Sequence, residues 1–149
     1  MKKLVIMAAL AVAAISASAL EIGARGTFSS ADTTVDSVGV TVGQKLGKFG
    51  TEVAFDRSTR GVESVNRWSL VGSYDLVKLG PVMVAATAGV ASIDPANSAT
   101  GGAVTVGANI SYALSKKLNL VGGYYYQDGA NRVSFANGNY FTVGAKYSF

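Results

Sequence analysis

The sequence predicts an all-β fold, an eight-stranded antiparallel up-and-down transmembrane β-barrel, and three observations predict it. Eight segments alternate apolar residues with small or polar ones. The connections between them alternate short with long. The apolar stripe carries no charge inside those segments, whereas the opposite stripe holds charges of both signs. Composition agrees: 49% of the 149 residues are hydrophobic and only 15% are charged, below the roughly 25–35% of a well-solvated surface.

Residues 1–19, MKKLVIMAALAVAAISASA, read as a secretory signal peptide. Lys2 and Lys3 precede an apolar run from Leu4 to Ile15, and Ala17-Ser18-Ala19 supplies an A-x-A cleavage pattern. The run is shorter than the roughly 20 residues a spanning helix needs. Residues 20–149 then form a single barrel domain. Its small net positive charge gives no reason to expect nucleic acid or another polyanion as partner.

Read in steps of two, the apolar parity collects Ile22, Ala24, Gly26 and Phe28, then Val38, Val40 and Val42, then Val53 and Phe55, then Trp68, Leu70, Gly72 and Tyr74. It continues through Val82, Val84, Ala86, Ala88 and Val90, and through Val104, Val106, Ala108, Ile110 and Tyr112. Leu118, Leu120, Gly122, Tyr124 and Tyr126 follow, and Phe141, Val143, Ala145, Tyr147 and Phe149 close the series. The connections GKFG (47–50), DLVKLG (75–80) and LSKK (114–117) are tight and carry lysine. Those at 30–36, 58–64, 94–100 and 128–138 are longer and polar. Short turns at one end and longer loops at the other are the signature of a meander closed on itself.

The opposite parity decides which face is inside. It holds Gly, Ala, Ser and Thr with a few charges, and side chains of that size fit the narrow lumen of an eight-stranded barrel. A secreted sandwich, the competing fold, would instead favour long charged residues on its wet face. Near the bilayer midplane a lipid-facing Arg or Lys costs about 2–4 kcal/mol, which explains why the apolar stripe is free of charge. Tyr74, Tyr112 and Tyr147 fall near the short-turn end, and Phe28, Phe55, Trp68 and Tyr126 toward the long-loop end. These two sets predict interfacial aromatic girdles.

The last segment, FTVGAKYSF, resembles the terminal strand of bacterial outer-membrane β-barrels, which end in phenylalanine with an aromatic or aliphatic residue at every second position before it. The resemblance implies that Phe141, Val143, Ala145, Tyr147 and Phe149 form the signal read by the barrel-assembly machinery. Residues 20–149 as a whole resemble the small eight-stranded class typified by OmpA-type, OmpX-type and opacity-like barrels. That implies a bacterial outer-membrane location, with outer-membrane lipid as surroundings.

Most catalytic templates fail on composition. With no histidine and no cysteine, serine-hydrolase, zinc-hydrolase and outer-membrane protease or acyltransferase arrangements lack their base or ligand, and neither a metal nor a cofactor is expected. Glu52 and Asp56 share a parity, but four residues along a strand is about 13 Å, too far for a glycosidase pair. Gly39, Gly43 and Gly47 are spaced like a helix-packing motif without the apolar helix it needs. KLGKFG lacks the spacing and the following helix of a phosphate loop.

The remaining chemistry is in the lumen. Glu21, Arg25, Lys45, Glu52, Asp56, Arg67 and Lys146 carry both signs and are expected to pair as a plug, or as a gate if the pairs exchange. Closure of the last strand on the first is expected to bring Lys146 toward Glu21 or Arg25. The function that follows is a non-enzymatic barrel with a structural or surface-interaction role. The alternative is a narrow channel for water, ions or small solutes. A lipid-acting enzyme, with Asp56 or Lys146 as base, is less favoured. An extracellular ligand would meet the loops at 30–36, 58–64, 94–100 and 128–138, where Val133 and Phe135 suit interfacial anchoring or a partner contact.

Overall fold

The computed structural model describes residues 20–29, 35–58, 65–95, 100–129 and 137–149. Residues 1–19, read above as a signal peptide, the interiors of the four longer connections, and with them Val133 and Phe135, lie outside the described residues.

The alternating segments form β1 (Leu20–Ser29), β2 (Val35–Leu46), β3 (Phe49–Ser58), β4 (Val65–Leu79), β5 (Val82–Pro95), β6 (Gly101–Ala113), β7 (Leu118–Gly129) and β8 (Gly138–Ser148). Each pairs antiparallel with the next, and β8 pairs with β1, so the sheet closes as a barrel with no edge. An even strand count returns the first and last strands to the end that carries the short turns.

The register sets the dimensions. Crossing paired residues from Leu20 through Gln44, Thr51, Gly72, Ala88, Val106, Tyr126 and Asn139 returns to β1 one residue past Ser29. A slip of about ten residues over eight strands, at ordinary strand spacings, tilts the strands by about 40° and gives a backbone radius of about 8 Å. A lumen that narrow is filled by a single layer of side chains from the wall.

Polarity is inverted relative to a water-soluble core. The largest fully buried side chains are Gln127, Asp56 and Ser69, while Val104 and Val143 are each 62% exposed on the outside. Apolar residues continue around the exterior on every strand, far beyond the few hundred Å² of exposed apolar patch usual for a soluble monomer.

At the short-turn end, Gly47 (φ +61°) and Gly80 (φ +59°) occupy left-handed positions that permit two-residue hairpins. Pro81 follows Gly80 and its ring fixes a negative φ, which gives the signs of a type II′ turn. In the β6–β7 connection the Ser115 hydroxyl accepts from the backbone N–H groups of Lys117 and Leu118, at 3.2 and 3.1 Å.

Two features differ from the sequence reading. Residues 75–80 are not a turn, because β4 runs on to Leu79 and only Gly80 and Pro81 remain between strands. A bulge between Asp75 and Val77 inserts Leu76, breaks the alternation for one step, and returns Val77 and Leu79 to the outer stripe. Strands also reach further into the longer loops, so Asp36, Ser58, Asp94 and Asp128 belong to β2, β3, β5 and β7.

The aromatic residues fall at two levels. Phe55 packs on Trp68 with centroids 4.6 Å apart, while Phe28 lies opposite Phe141 and Tyr126 opposite Asn139 toward the loop end. Tyr74 lies five residues before the end of β4, not beside its turn, yet strand tilt sets it against Phe49, whose ring is 4.9 Å away next to the β2–β3 turn. Tyr112 and Tyr147 are exposed near the same end, with Tyr147 edge-on to Phe149 at 5.1 Å. Phe49, Tyr124 and Phe141 are further outward aromatics; the Tyr124 hydroxyl donates to Asn139 Oδ1 at 2.7 Å.

Candidate functional site: the charged lumen

The site is a row across four adjacent strands. In register, Arg25 of β1 faces Gly39 of β2, Gly39 faces Asp56 of β3, and Asp56 faces Arg67 of β4. Gly39 is the gap that makes the row work. Without a side chain there, the carboxylate of Asp56 leans across β2 to meet Arg25; a Cβ at that position would collide with Asp56 Oδ1 and come within 2.7 Å of the Phe55 carbonyl oxygen.

The resulting contact is a fork on a carboxylate. Arg25 donates from Nε to Asp56 Oδ1 at 2.9 Å and from Nη2 to Oδ2 at 2.6 Å. Its remaining arm, Nη1, reaches Glu52 Oε1 at 3.3 Å, so one guanidinium bridges both carboxylates of β3. This planar, two-sided pairing is suited to arginine and not to lysine. Arg67 Nη1 lies 3.3 Å from Asp56 Oδ2 and donates to the Tyr125 hydroxyl at 2.9 Å. The Arg67 guanidinium also sits 5.0 Å from the centre of the Tyr125 ring, and that ring stacks on Tyr140 at 5.3 Å. Lys146 of β8 binds Glu52 Oε2 from the opposite wall.

The seven charges read from the sequence therefore divide. Arg25, Glu52, Asp56, Arg67 and Lys146 form one network. Lys45 lies nearer the turn end, where it pairs with Asp75 at 2.6 Å, a carboxylate the sequence reading had assigned to a turn. Glu21 accepts from the Ser148 hydroxyl at 3.3 Å. The expectation that Lys146 turns toward Glu21 or Arg25 is corrected: Lys146 is opposite Gly23 and Asn119 in register, and its long stem crosses the lumen to Glu52.

Sequence reasoning missed the aromatic part of the layer. Tyr125 and Tyr140 lie on the inner parity, but among small residues they carried no charge signal to set them apart. It also missed an inward apolar cluster, Val65, Ala91, Ile93 and Ala103, which packs beneath the loop-end rim on the β4–β6 side. The signal was available: Ile93 and Val65 fall on the parity opposite to Val90 and Trp68.

The network divides the interior. On the turn side a vestibule of about 290 Å³ is lined by residues that include Glu21, Lys45, Asp75, Lys78, Asn119 and Lys146. Beside Arg25 and Glu52 the free space shrinks to about 50 Å³, and between Asp56, Tyr125, Tyr140, Gln127 and Ile93 it is about 60 Å³. Each of the two small spaces has room for a few waters and nothing larger. Among the described residues no cluster of His, Cys, Asp and Glu is arranged to hold a metal ion.

On the outside of β8, Phe141, Val143, Tyr147 and Phe149 are exposed, and Ala145 sits among them at partial exposure.

No family model and no curated protein sequence matches the chain. Solved structures do. Neisserial surface protein A is 18% identical, with 88% of this chain and 95% of that one covered and a TM-score of 0.61. A major outer membrane protein from Thermus thermophilus is 15% identical, covering 89% and 100%, with a TM-score of 0.62. The Yersinia pestis outer membrane protein Ail, in a phospholipid bilayer nanodisc, is 12% identical, covering 89% and 100%, with a TM-score of 0.59. At these identities the likeness is one of fold: this chain is similar to small eight-stranded outer-membrane barrels.

Proposed function

We propose that the chain is an integral bacterial outer-membrane barrel that acts as a closed, non-enzymatic scaffold, holding its loops and its lipid-facing wall in place instead of conducting. The observation that carries this reading is the Arg25–Asp56–Arg67–Tyr125 layer, which spans the lumen with water-sized spaces on either side. The outward apolar surface and the two aromatic levels support a bilayer as the surrounding medium. The carboxylates give an enzyme nothing to work with: Asp56 is held by two arginines and Glu52 by Arg25 and Lys146, so no unpaired base faces the space beside them.

A channel reading is favoured by one feature, the sharing of each carboxylate between two cations, which gives every pair an alternative partner. Planar-bilayer recordings of the chain extracted from membranes, with insertion checked by heat-modifiable gel migration, separate the two. Inserted barrels that pass no current are expected. Discrete conductance steps would replace the closed scaffold with a channel and make the network its gate.

A further inference from the structure

The small net charge of residues 20–149 hides a segregation. All six lysines, Lys45, Lys48, Lys78, Lys116, Lys117 and Lys146, lie at the turn end, whereas Arg25, Arg57 and Arg67 lie in the half nearer the loops, and Arg60 and Arg132 fall in the loop connections themselves. Lys45 and Lys146 are spent inside the lumen. Past the bulge Lys78 falls on the inner parity and lines the turn-side vestibule. The other three, Lys48, Lys116 and Lys117, are exposed, and none has a carboxylate partner among the described residues.

These three sit in two turns on different sides of the barrel, Lys48 in the β2–β3 turn and Lys116 and Lys117 in the β6–β7 turn. Each turn stands beside outward apolar side chains: Leu46 and Phe49 are 69% and 65% exposed, and Leu114 52%. Below the aromatic level formed by Tyr74, Tyr112 and Tyr147, the arrangement is that of side chains whose stems lie along acyl chains while their ammonium groups reach the headgroups. Lys117 already lies in this way, its Nζ 5.7 Å from the centre of the Tyr147 ring.

We infer that these turn lysines are a binding site for the phosphate groups of anionic phospholipids in the leaflet at the turn end. The inference rests on the membrane reading above. Position on the wall selects the occupant: Lys117 lies against the outward ring of Tyr147 and Lys48 stands beside the outward Leu46 and Phe49, so the ammonium groups sit where the apolar wall meets headgroups. Lysine also fits the task, because a compact ammonium on a flexible stem follows mobile headgroups that need no planar, two-pronged recognition. Its effect is to hold the barrel at fixed depth and to give that rim a preference for anionic lipid.

The test uses the full chain inserted in vesicles of phosphatidylcholine alone and of an equimolar mixture with phosphatidylglycerol. Insertion is scored by heat-modifiable migration, and lipid preference by exchange of spin-labelled lipids at the protein surface. Insertion in neither vesicle would sink the membrane reading itself. With insertion established, phosphatidylglycerol is expected to be favoured severalfold over phosphatidylcholine at low salt, with the preference shrinking as ionic strength rises. In a variant carrying Lys48→Gln, Lys116→Gln and Lys117→Gln the ratio is expected to fall toward one while insertion persists, each turn changed alone should remove part of the effect, and Lys78→Gln in the vestibule should leave the ratio unchanged. Equal association of the two lipids with the unmodified barrel, or a preference untouched by the substitutions, would overturn the inference. So would lysine-dependent binding of the phosphatidylcholine-inserted barrel to isolated cell-wall peptidoglycan without any lipid preference, which would assign the turn lysines to an acidic periplasmic polymer.

Discussion

Replacing Asp56 by alanine tests the lumen network at its centre. Asp56 is 1% exposed and accepts two bonds from Arg25, at 2.9 and 2.6 Å, and a third contact from Arg67 at 3.3 Å. Its loss leaves two guanidinium groups inside the barrel with only Glu52 at 3.3 Å and the Tyr125 hydroxyl to answer them. Removing one member of a buried ion pair costs about 3–5 kcal/mol, because the orphaned charge stays desolvated. Asp56→Asn keeps the volume but removes the same charge and turns an amide NH2 toward a guanidinium donor, so it should cost a similar amount. The assay is equilibrium unfolding in denaturant from lipid vesicles, followed by the emission of Trp68, the one tryptophan, which packs on Phe55 at the barrel's outer surface. Because the pairs are shielded, the difference should hold when salt is raised. Combining Asp56→Leu with Arg25→Met removes both charges and should cost less than the sum of the two single changes. A loss within about 1 kcal/mol for Asp56→Ala would refute the claim that buried charges are held here by one another.

Three further outcomes follow from the same geometry. Gly39→Ala places a methyl group against Asp56 Oδ1 and the Phe55 carbonyl and should destabilise the barrel by about 1–3 kcal/mol in the same unfolding assay, with the loss reduced but not abolished in an Asp56→Ala background, where the 2.7 Å approach to the Phe55 carbonyl remains. Tyr125→Phe keeps the stack on Tyr140 but removes the 2.9 Å contact with Arg67, so unfolding measurements should show a cost of about 1.5–3 kcal/mol and unchanged insertion. Phe149→Ala removes an outward ring, 67% exposed, that lies edge-on to Tyr147; it should lower the amount of barrel assembled in cells, while the stability of purified, folded chain falls by no more than the transfer of one apolar side chain, about 1.5–3 kcal/mol.

How much of this was legible in the sequence depends on how local each feature is. A strand's inner and outer faces are set by parity alone, so Val38, Val40 and Val42 on one side and Gly39 and Thr41 on the other can be read without knowing any neighbour. The bulge at Leu76 was not legible, since one inserted residue looks identical to the end of an alternating run; only pairing with Val84 and Met83 shows that the strand resumes. The lumen charges could be named individually, but their partners depend on the stagger of the whole circuit, which no single segment carries. That is why Lys146 was expected on the adjacent β1 and lies instead on Glu52 across the lumen. Gly39 shows how the two levels join. In sequence it is one more small residue on the inner stripe, but once β1, β2 and β3 are in register it is the one position between Arg25 and Asp56, and its missing side chain brings a carboxylate on one strand to a guanidinium two strands away. The network is therefore a property of closure: a one-residue slip in the β1–β2 or β2–β3 register would turn Arg25 or Asp56 out of the lumen toward the apolar face, where burial without a partner opposes it, and a two-residue slip would keep them inside but move Gly39 out of the gap between them. Buried charge that stabilises the barrel only weakly when paired still penalises those registers, and in that sense the lumen of this chain specifies the fold that contains it.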